Sequence, residues 1–263
     1  MIELSSEGAL PQTFEELICR QPLPDGAAIR TARVPYERDG TQFEGFVATD
    51  VAVTGPRKGI LLLHAWTGVG PNVQMRARML ARLGYVAFAA DLYGAGIRPT
   101  APADAAAEAA KHYSDLPRLR RRVLAGLDVL VHDLGVDLSK IVVAGYCFGG
   151  TAALEFARTG TPVAGVVSFH GNLISPDPGC FGTIAVPLLI VAGGSDDLVP
   201  DDALMRFLDT LRAHPEVDWQ VALHGGAPHA FTVPGSDRFR PIADQRSWGQ
   251  FTAFLDERLA PSE

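Results

Sequence analysis

The chain has 263 residues, of which 47% are hydrophobic and 20% charged, and a formal net charge of −7 at pH 7. This length suits one large domain or two small ones, and the composition is that of a globular protein with enough apolar residues for a large core. The acidic balance argues against nucleic acid as a partner. We find no signal-peptide pattern, and no apolar stretch approaches the roughly 18 residues of a membrane span.

Strands and helices alternate along the chain. The apolar runs predict strands, in chain order, over residues 43–48, 60–64, 85–90, 141–146, 163–169, 186–192 and 217–223. Helical patterns cover residues 72–83, 103–112, 116–134, 201–213 and 242–259, and a further helix is expected around residues 151–154. The first of the strands follows a predicted turn at Asp39-Gly40.

This alternation predicts the architecture. Continuous apolar strands that alternate with helices form parallel sheets buried on both faces. The sequence therefore predicts an α/β fold with a mostly parallel central sheet and helices on both faces. We expect residues 1–30 to form an irregular N-terminal arm and residues 31–263 to form a single domain.

Cysteine usage bears on the cellular compartment. Cys19, Cys147 and Cys180 are widely spaced and odd in number, so no disulfide framework is predicted. Free thiols are typical of a reducing compartment, where a cysteine can act as a nucleophile. We therefore expect a cytoplasmic protein without a membrane partner.

The most informative motif is Gly145-Tyr146-Cys147-Phe148-Gly149-Gly150, between a predicted strand and a helix. This pattern is typical of the nucleophile elbow of α/β-hydrolases, with Cys147 in the place of the usual serine. Gly145 and Gly149 supply the lack of bulk that so tight a turn requires. The N-terminus of the following helix favours a thiolate. The alternative is a small buried cysteine in an ordinary strand–helix turn.

An acid and a histidine follow later strands. Asp196 comes after the strand at 186–192, and His229 comes after the strand at 217–223. Nucleophile, acid, histidine is the chain order of α/β-hydrolase triads. We expect His229 to transfer the proton and Asp196 to orient its ring. Asp197 and His224 are the competing acid and base, although we favour Asp196.

Two backbone N–H groups are predicted to bind the oxyanion. One belongs to Phe148, directly after the nucleophile, and the other to Trp66, in the loop after the strand at 60–64. The side chains predicted to line the substrate pocket are those of His64, Trp66, Tyr93, Arg98, His170 and Phe231. A structural role, in which the imidazole holds its loop by hydrogen bonds, is the alternative for His64 and His170.

These motifs resemble the dienelactone hydrolase family over residues 35–258. The matching pieces are the elbow, Asp91-Leu92-Tyr93-Gly94, Gly193-Gly194-Ser195-Asp196 with Val199-Pro200, and His229-Ala230-Phe231 followed by Arg246-Ser247-Trp248. The resemblance implies an α/β-hydrolase fold, a Cys-His-Asp triad, hydrolysis of enol lactones or related esters, and neither a metal nor an organic cofactor.

Two features depart from the family pattern. Family members commonly carry a glutamate that helps to activate the thiol, and this chain has Ala65 at that position. Where dienelactone-cleaving members bind the substrate carboxylate with two arginines, this chain has Gly94-Ala95-Gly96 and Thr232-Val233, and Arg98 is the only nearby cation. Because bidentate contacts to an anion are strong, their loss favours a neutral ester or lactone as the substrate.

The sequence therefore predicts a cysteine-dependent hydrolase of small carboxylic esters or lactones that forms an acyl-cysteine intermediate. We expect a monomer or a homodimer. The same triad could act on thioesters or phosphotriesters, or the scaffold could sense a ligand without catalysis. Two further alternatives are a peroxide-reactive thiol, with Cys180 as a possible partner, and a metallohydrolase, which the lack of a paired histidine motif disfavours.

Overall fold

The computed structural model describes residues 2, 4, 5, 9–173 and 184–260, and Cys180 lies outside these residues. The chain divides into two compact units, Met1–Ile141 and Val142–Glu263. The single domain over residues 31–263 stays a prediction. None of the helices that the structure describes has both the length and the apolar character that a membrane crossing requires.

The part of the first unit that the structure describes forms four strands and four α-helices. Its strands are β1 (Ile29–Arg38), β2 (Thr41–Asp50), β3 (Gly59–Leu63) and β4 (Val86–Ala90), and they lie side by side in the order β1-β2-β4-β3. Its helices are α1 (Gln12–Cys19), α2 (Pro71–Arg82), α3 (Pro102–Tyr113) and α4 (Leu116–Asp128). The pair β3–β4 is parallel, whereas β2 is antiparallel to both β1 and β4.

The start of the chain is more regular than the sequence predicts. Residues 1–30 are expected to be an irregular arm, but they contain α1, which buries Leu17 and Ile18 and packs against α2. Strand β1, which the sequence analysis also misses, forms a hairpin with β2. The predicted turn joins them: Asp39 and Gly40 both have positive φ, at 51° and 74°, as a two-residue hairpin turn requires.

The core strands match their predicted positions because they are buried along their whole length. Every residue of β3 and of β4 is buried, which explains their continuous apolar sequence. The helix predicted over residues 116–134 is α-helical only to Asp128 and continues as a π-helical turn, Val129–Asp133. Gly135, with φ 70°, follows this turn.

The described residues of the second unit form four parallel strands and three α-helices. Its strands are β5 (Ile141–Tyr146), β6 (Gly165–Phe169), β7 (Leu188–Gly193) and β8 (Trp219–His224), adjacent in that order and parallel throughout. Its helices are α5 (Phe148–Ala157), α6 (Asp201–Arg212) and α7 (Pro241–Arg258). Because the strands are parallel, the loops that follow β5, β7 and β8 lie at the same edge of this sheet.

A single residue, Cys147, separates β5 from α5. Its backbone has φ 56° and ψ −115°, a conformation that costs an L-residue of order 1–3 kcal/mol. A Cβ at Gly145 would lie 1.9 Å from the carbonyl oxygen of Gly149, and one at Gly150 would lie 2.9 Å from the Cα of Gly171. The strand and the helix therefore approach so closely that only glycine fits.

We expect Gly145→Ala to lower the free energy of unfolding by more than about 3 kcal/mol, or to prevent folding, because a methyl group there must separate β5 from α5. Urea unfolding followed by circular dichroism measures the change. Gly225→Ala is the matched control, since a Cβ at Gly225 meets no atom within 4 Å. Equal stability of the two variants contradicts the packing argument.

Candidate active site

The Cys147 thiol lies at the end of β5 and is partly exposed. The backbone N–H of Cys147 donates to the carbonyl of Phe169 at the end of β6, 2.9 Å away, and its carbonyl accepts from Thr151 in the first turn of α5. The residue is thus the N-cap of α5, and the positive end of the helix dipole lies beside the thiol.

His229 joins the thiol to a carboxylate. Its Nε2 lies 3.1 Å from Cys147 Sγ, and its Nδ1 lies 3.0 Å and 3.2 Å from the two carboxylate oxygens of Asp196. Because a carboxylate only accepts, Nδ1 carries a proton and donates it to Asp196. The structure therefore brings the predicted nucleophile, base and acid into one chain of hydrogen bonds.

The loop after β7 holds the carboxylate of Asp196. Oδ1 also accepts from the backbone N–H groups of Leu198 and Val199, at 2.9 Å and 3.0 Å, and the side chain is only 2% exposed. Asp197, the competing acid, points elsewhere and forms a two-point ion pair with Arg238. Asp196 thus stabilises its own turn as well as orienting the imidazole.

The electrostatics of His229 favour its charged form. Burial alone lowers its pKa, but the hydrogen bonds to Asp196 and to Cys147 outweigh burial and raise the pKa to about 9. An imidazolium at this position faces the thiol on one side and a carboxylate on the other. The arrangement places Nε2 of the charged ring against the sulfur, from which it can deliver a proton.

His224, the competing base, has a different partner. It lies at the end of β8, and its Nε2 is 3.1 Å from the side-chain oxygen of Gln250 in α7. Burial lowers its pKa, so its neutral form is favoured. The chain has positive φ at Gly226, before His229, and at Ala230, directly after it, with values of 70° and 59°. Of the two imidazoles, it is that of His229 that reaches the sulfur.

His170 and Phe231 lie beside His229 in the second unit. The His170 ring contacts the His229 ring edge-on at a centroid distance of 5.1 Å, and its Nε2 bonds the hydroxyl of Thr232 at 2.8 Å. Its backbone φ is 40°, and its N–H donates to the carbonyl of Val191. Phe231 is fully buried. Both side chains support the histidine loop, and their predicted contact with substrate stays a prediction.

The predicted site residues of the first unit lie in the segments that follow β3 and β4. His64 is fully buried; its Nδ1 donates to the carbonyl of Ala65 at 2.7 Å, and its Nε2 accepts from the N–H of Leu92 at 3.0 Å. Burial lowers its pKa to about 4, which keeps the ring neutral. These contacts correspond to the structural role that the sequence leaves open for His64.

Tyr93 and Trp66 are linked in the same unit. The Tyr93 hydroxyl donates to the carbonyl of Trp66 at 3.1 Å, and Tyr93 is 2% exposed, whereas Trp66 is 38% exposed. The Trp66 indole is therefore more accessible to a ligand than the phenol of Tyr93. The oxyanion roles of the Trp66 and Phe148 N–H groups stay predictions.

Arg98 is engaged within the first unit. Its guanidinium lies 3.4 Å from the buried carboxylate of Asp91 and donates to the backbone carbonyls of Glu44, Gly94 and Ile97. Asp91 in turn accepts from the N–H groups of Tyr93 and Gly94. Arg98 thus holds the loop that follows β4, a role which the sequence reasoning did not assign to it.

Two further residues are missed by sequence reasoning. Arg238 pairs with the neighbour of Asp196, and Thr232 bonds His170. Only their positions shortly after His229 hinted at a role. Among the residues that the structure describes, no group of three or more His, Cys, Asp or Glu side chains is placed to hold a metal ion.

The strand–elbow–helix at Cys147 and the loops after the two later parallel strands define the α/β-hydrolase class. The sequence profile of the dienelactone hydrolase family matches residues 43–259. The chain belongs to the dienelactone hydrolase family and is a hydrolase of ester bonds. This result confirms the resemblance and the fold class that the sequence predicts.

Known relatives cover most of the chain. A dienelactone hydrolase-like promiscuous phosphotriesterase from metagenomic libraries is 34% identical, covers 88% of this chain and 98% of its own, and superposes with a TM-score of 0.82. A structure named m3DLH is 32% identical over the same shares, with a TM-score of 0.83. A Bradyrhizobium protein described as a probable 2-oxo-3-(5-oxofuran-2-ylidene)propanoate lactonase is 27% identical and covers 77% of this chain and 85% of its own.

The raised pKa of His229 predicts an alkaline limit that depends on the leaving group. Below about pH 9 the imidazolium can protonate a departing alkoxide, and above that pH it cannot. We expect kcat/KM for ethyl butyrate to fall about tenfold per pH unit above pH 9. The p-nitrophenyl ester is the control, since its leaving group needs no proton. The role of His229 as proton donor is contradicted if kcat/KM for the ethyl ester falls near pH 6.5, the ordinary histidine pKa, or does not fall at all.

Proposed function

We propose that this chain hydrolyses carboxylic esters or lactones with Cys147 as the nucleophile and His229 as the general acid and base. Asp196 orients the histidine ring and stabilises its charged form. The observation that carries the proposal is the continuous hydrogen-bond chain from Cys147 Sγ through both nitrogens of His229 to Asp196. A buried imidazole bonded to a thiol on one side and a carboxylate on the other is what acyl transfer by cysteine requires.

The reaction has two halves. The Cys147 thiolate attacks the carbonyl carbon, the carbonyl electrons move to oxygen, and collapse of the tetrahedral intermediate expels an alkoxide that takes the proton from His229 Nε2. Neutral His229 then removes a proton from water, which attacks the acyl-cysteine. Expulsion of the thiolate releases the acid and restores the imidazolium.

The oxyanion is stabilised by backbone donors. Phe148 is the first residue of α5, so its N–H lies at the N-terminus of that helix, where the dipole favours negative charge. We retain the N–H of Trp66 as the second predicted donor. Both donors are backbone N–H groups, so the sequence predicts them from the positions of the residues and not from their side chains.

The thiol is activated without the usual glutamate. Ala65 supplies no carboxylate, so the charge on His229 and the N-terminus of α5 must favour the thiolate. Both contributions come from groups within contact of Cys147. The active form is accordingly the thiolate–imidazolium pair.

The substrate is proposed to be neutral. Its acyl part would meet no arginine at the two positions where dienelactone-cleaving family members carry carboxylate-binding arginines, since this chain has Ala95 and Thr232 there. Arg98 already bonds Asp91 and backbone carbonyls. Moving it to an anionic substrate would leave a fully buried carboxylate without its cation, which is costly.

A phosphotriester is the second candidate substrate. The supporting observation is the similarity to the promiscuous phosphotriesterase, 34% identical over 88% of this chain. Attack of the same thiolate on phosphorus expels an aryloxide and leaves a phosphorylated cysteine.

Cytoplasmic location and a monomeric or homodimeric state stay predictions from the sequence.

We expect a stopped-flow burst of p-nitrophenolate near one equivalent when the protein meets p-nitrophenyl acetate or butyrate, followed by steady turnover. Cys147→Ala should show neither, because the variant lacks the attacking atom. Diethyl p-nitrophenyl phosphate run in parallel tests the second candidate. Turnover that survives in Cys147→Ala contradicts the mechanism.

We expect the alanine variants of the two histidines to differ strongly in kcat. His229→Ala should lower kcat by about 10³-fold or more, since it removes the group that bonds the thiol. His224→Ala is the matched control, because this ring bonds Gln250 instead, and we expect a change of less than about threefold. Similar losses in both variants contradict the assignment.

A further inference from the structure

The loop that carries Asp196 and the loop that carries His229 are tied together along their length. We define the acid loop as residues 194–200 and the histidine loop as residues 225–240. The N–H of Gly194 donates to the carbonyl of His224 at 2.8 Å, and the N–H of Ser195 donates to the carbonyl of Ala227 at 3.0 Å. These bonds extend the pairing of β7 with β8 up to the triad.

The connection continues beyond the triad. Arg238 donates from both terminal nitrogens to the two carboxylate oxygens of Asp197, at 2.6 Å and 2.8 Å. These residues are 41 positions apart in sequence and adjacent to the triad in structure, since Asp197 directly follows Asp196. The N–H of Arg240 in turn donates to the carbonyl of Phe231, at 3.0 Å. The ion pair therefore joins the acid loop to the histidine loop at positions that follow the triad residues in both loops.

We propose that the Asp197–Arg238 ion pair is a positioning clamp that keeps the Asp196 carboxylate aligned with His229 Nδ1. This inference rests on the proposed function, because alignment matters only if the triad is catalytic. The two loops are bonded on one side of the triad by backbone contacts and on the other by this pair. Without the pair, the part of the acid loop beyond Asp196 has one less attachment to the histidine loop.

The chemistry of the pair suits such a role. A two-point arginine–carboxylate contact restricts orientation as well as distance, which a lysine or a single contact does not. The hydrogen bond from Arg238 lowers the pKa of Asp197 to about 2, so the carboxylate stays charged throughout the working pH range. Both side chains are exposed, at 54% for Asp197 and 40% for Arg238, so salt screens the pair and the clamp is sensitive to ionic strength.

The test compares kcat and KM for p-nitrophenyl butyrate at about 20 mM and about 500 mM NaCl, where screening differs strongly. We expect Asp197→Asn and Arg238→Gln each to lower kcat about three- to fivefold at low salt with KM unchanged, the size of effect that an exposed pair can have. Wild type should approach the variants at high salt. The exchange of both charges, Asp197→Arg with Arg238→Asp, should restore most of the lost kcat at low salt.

Asp202→Asn is the matched control. Asp202 pairs with Arg206 on the surface of α6 at 2.6 Å, with similar exposure, and lies outside both loops. It should leave kcat unchanged at both salt concentrations. Clamp variants that behave like Asp202→Asn, or a charge exchange that restores nothing, overturn the clamp. Turnover that survives in Cys147→Ala contradicts the proposed function instead, so the two failures are distinguishable.

Discussion

The close approach of β5 and α5 at Gly145 and Gly149 is the constraint on which the rest of the site depends. It leaves one residue, Cys147, to reverse the chain in a strained conformation that an ordinary turn does not require. The strain is sustained because the N–H and carbonyl of Cys147 are both bonded, to Phe169 and Thr151. The thiol is thereby held at the helix N-terminus and against His229.

Charge balance at His229 bears on how the proposed nucleophile would be activated, because this chain has Ala65 at the position where the sequence comparison with the family predicts a glutamate. Burial opposes a cation at His229, yet a carboxylate and a thiol on opposite ring nitrogens overcome that opposition and raise its pKa to about 9. Asp196 is itself anchored by two backbone N–H groups and is almost fully buried. If the Asp196 carboxylate rotated away from His229, the buried imidazolium would lose its counter-charge and the two backbone N–H groups would lose their acceptor. This geometry is therefore costly to disturb.

The first unit uses its polar groups mostly to hold its own loops. His64, Asp91 and Arg98 bond backbone groups of the segments after β3 and β4, and the roles predicted for His64 and Arg98 in the substrate pocket stay predictions. A resemblance at the level of motifs does not distinguish such a residue from one that binds substrate, because both roles demand a polar side chain at a strand end. The direction and the hydrogen-bond partners of the side chain make the difference.

The sequence by itself determined the alternation of strands and helices, the elbow and its glycines, and the order nucleophile, acid, histidine. It could do so because buried parallel strands need continuous apolar runs and a tight turn needs small residues at fixed offsets. Only the tertiary structure shows that Asp196 and not Asp197, and His229 and not His224, joins the hydrogen-bond chain to Cys147. The members of each pair are close in sequence, and the contact depends on where two distant loops meet. The sequence does not predict helix α1 or strand β1, because each is stabilised by the element it packs against. Helix α1 is short, and strand β1 alternates in burial and contains Pro35.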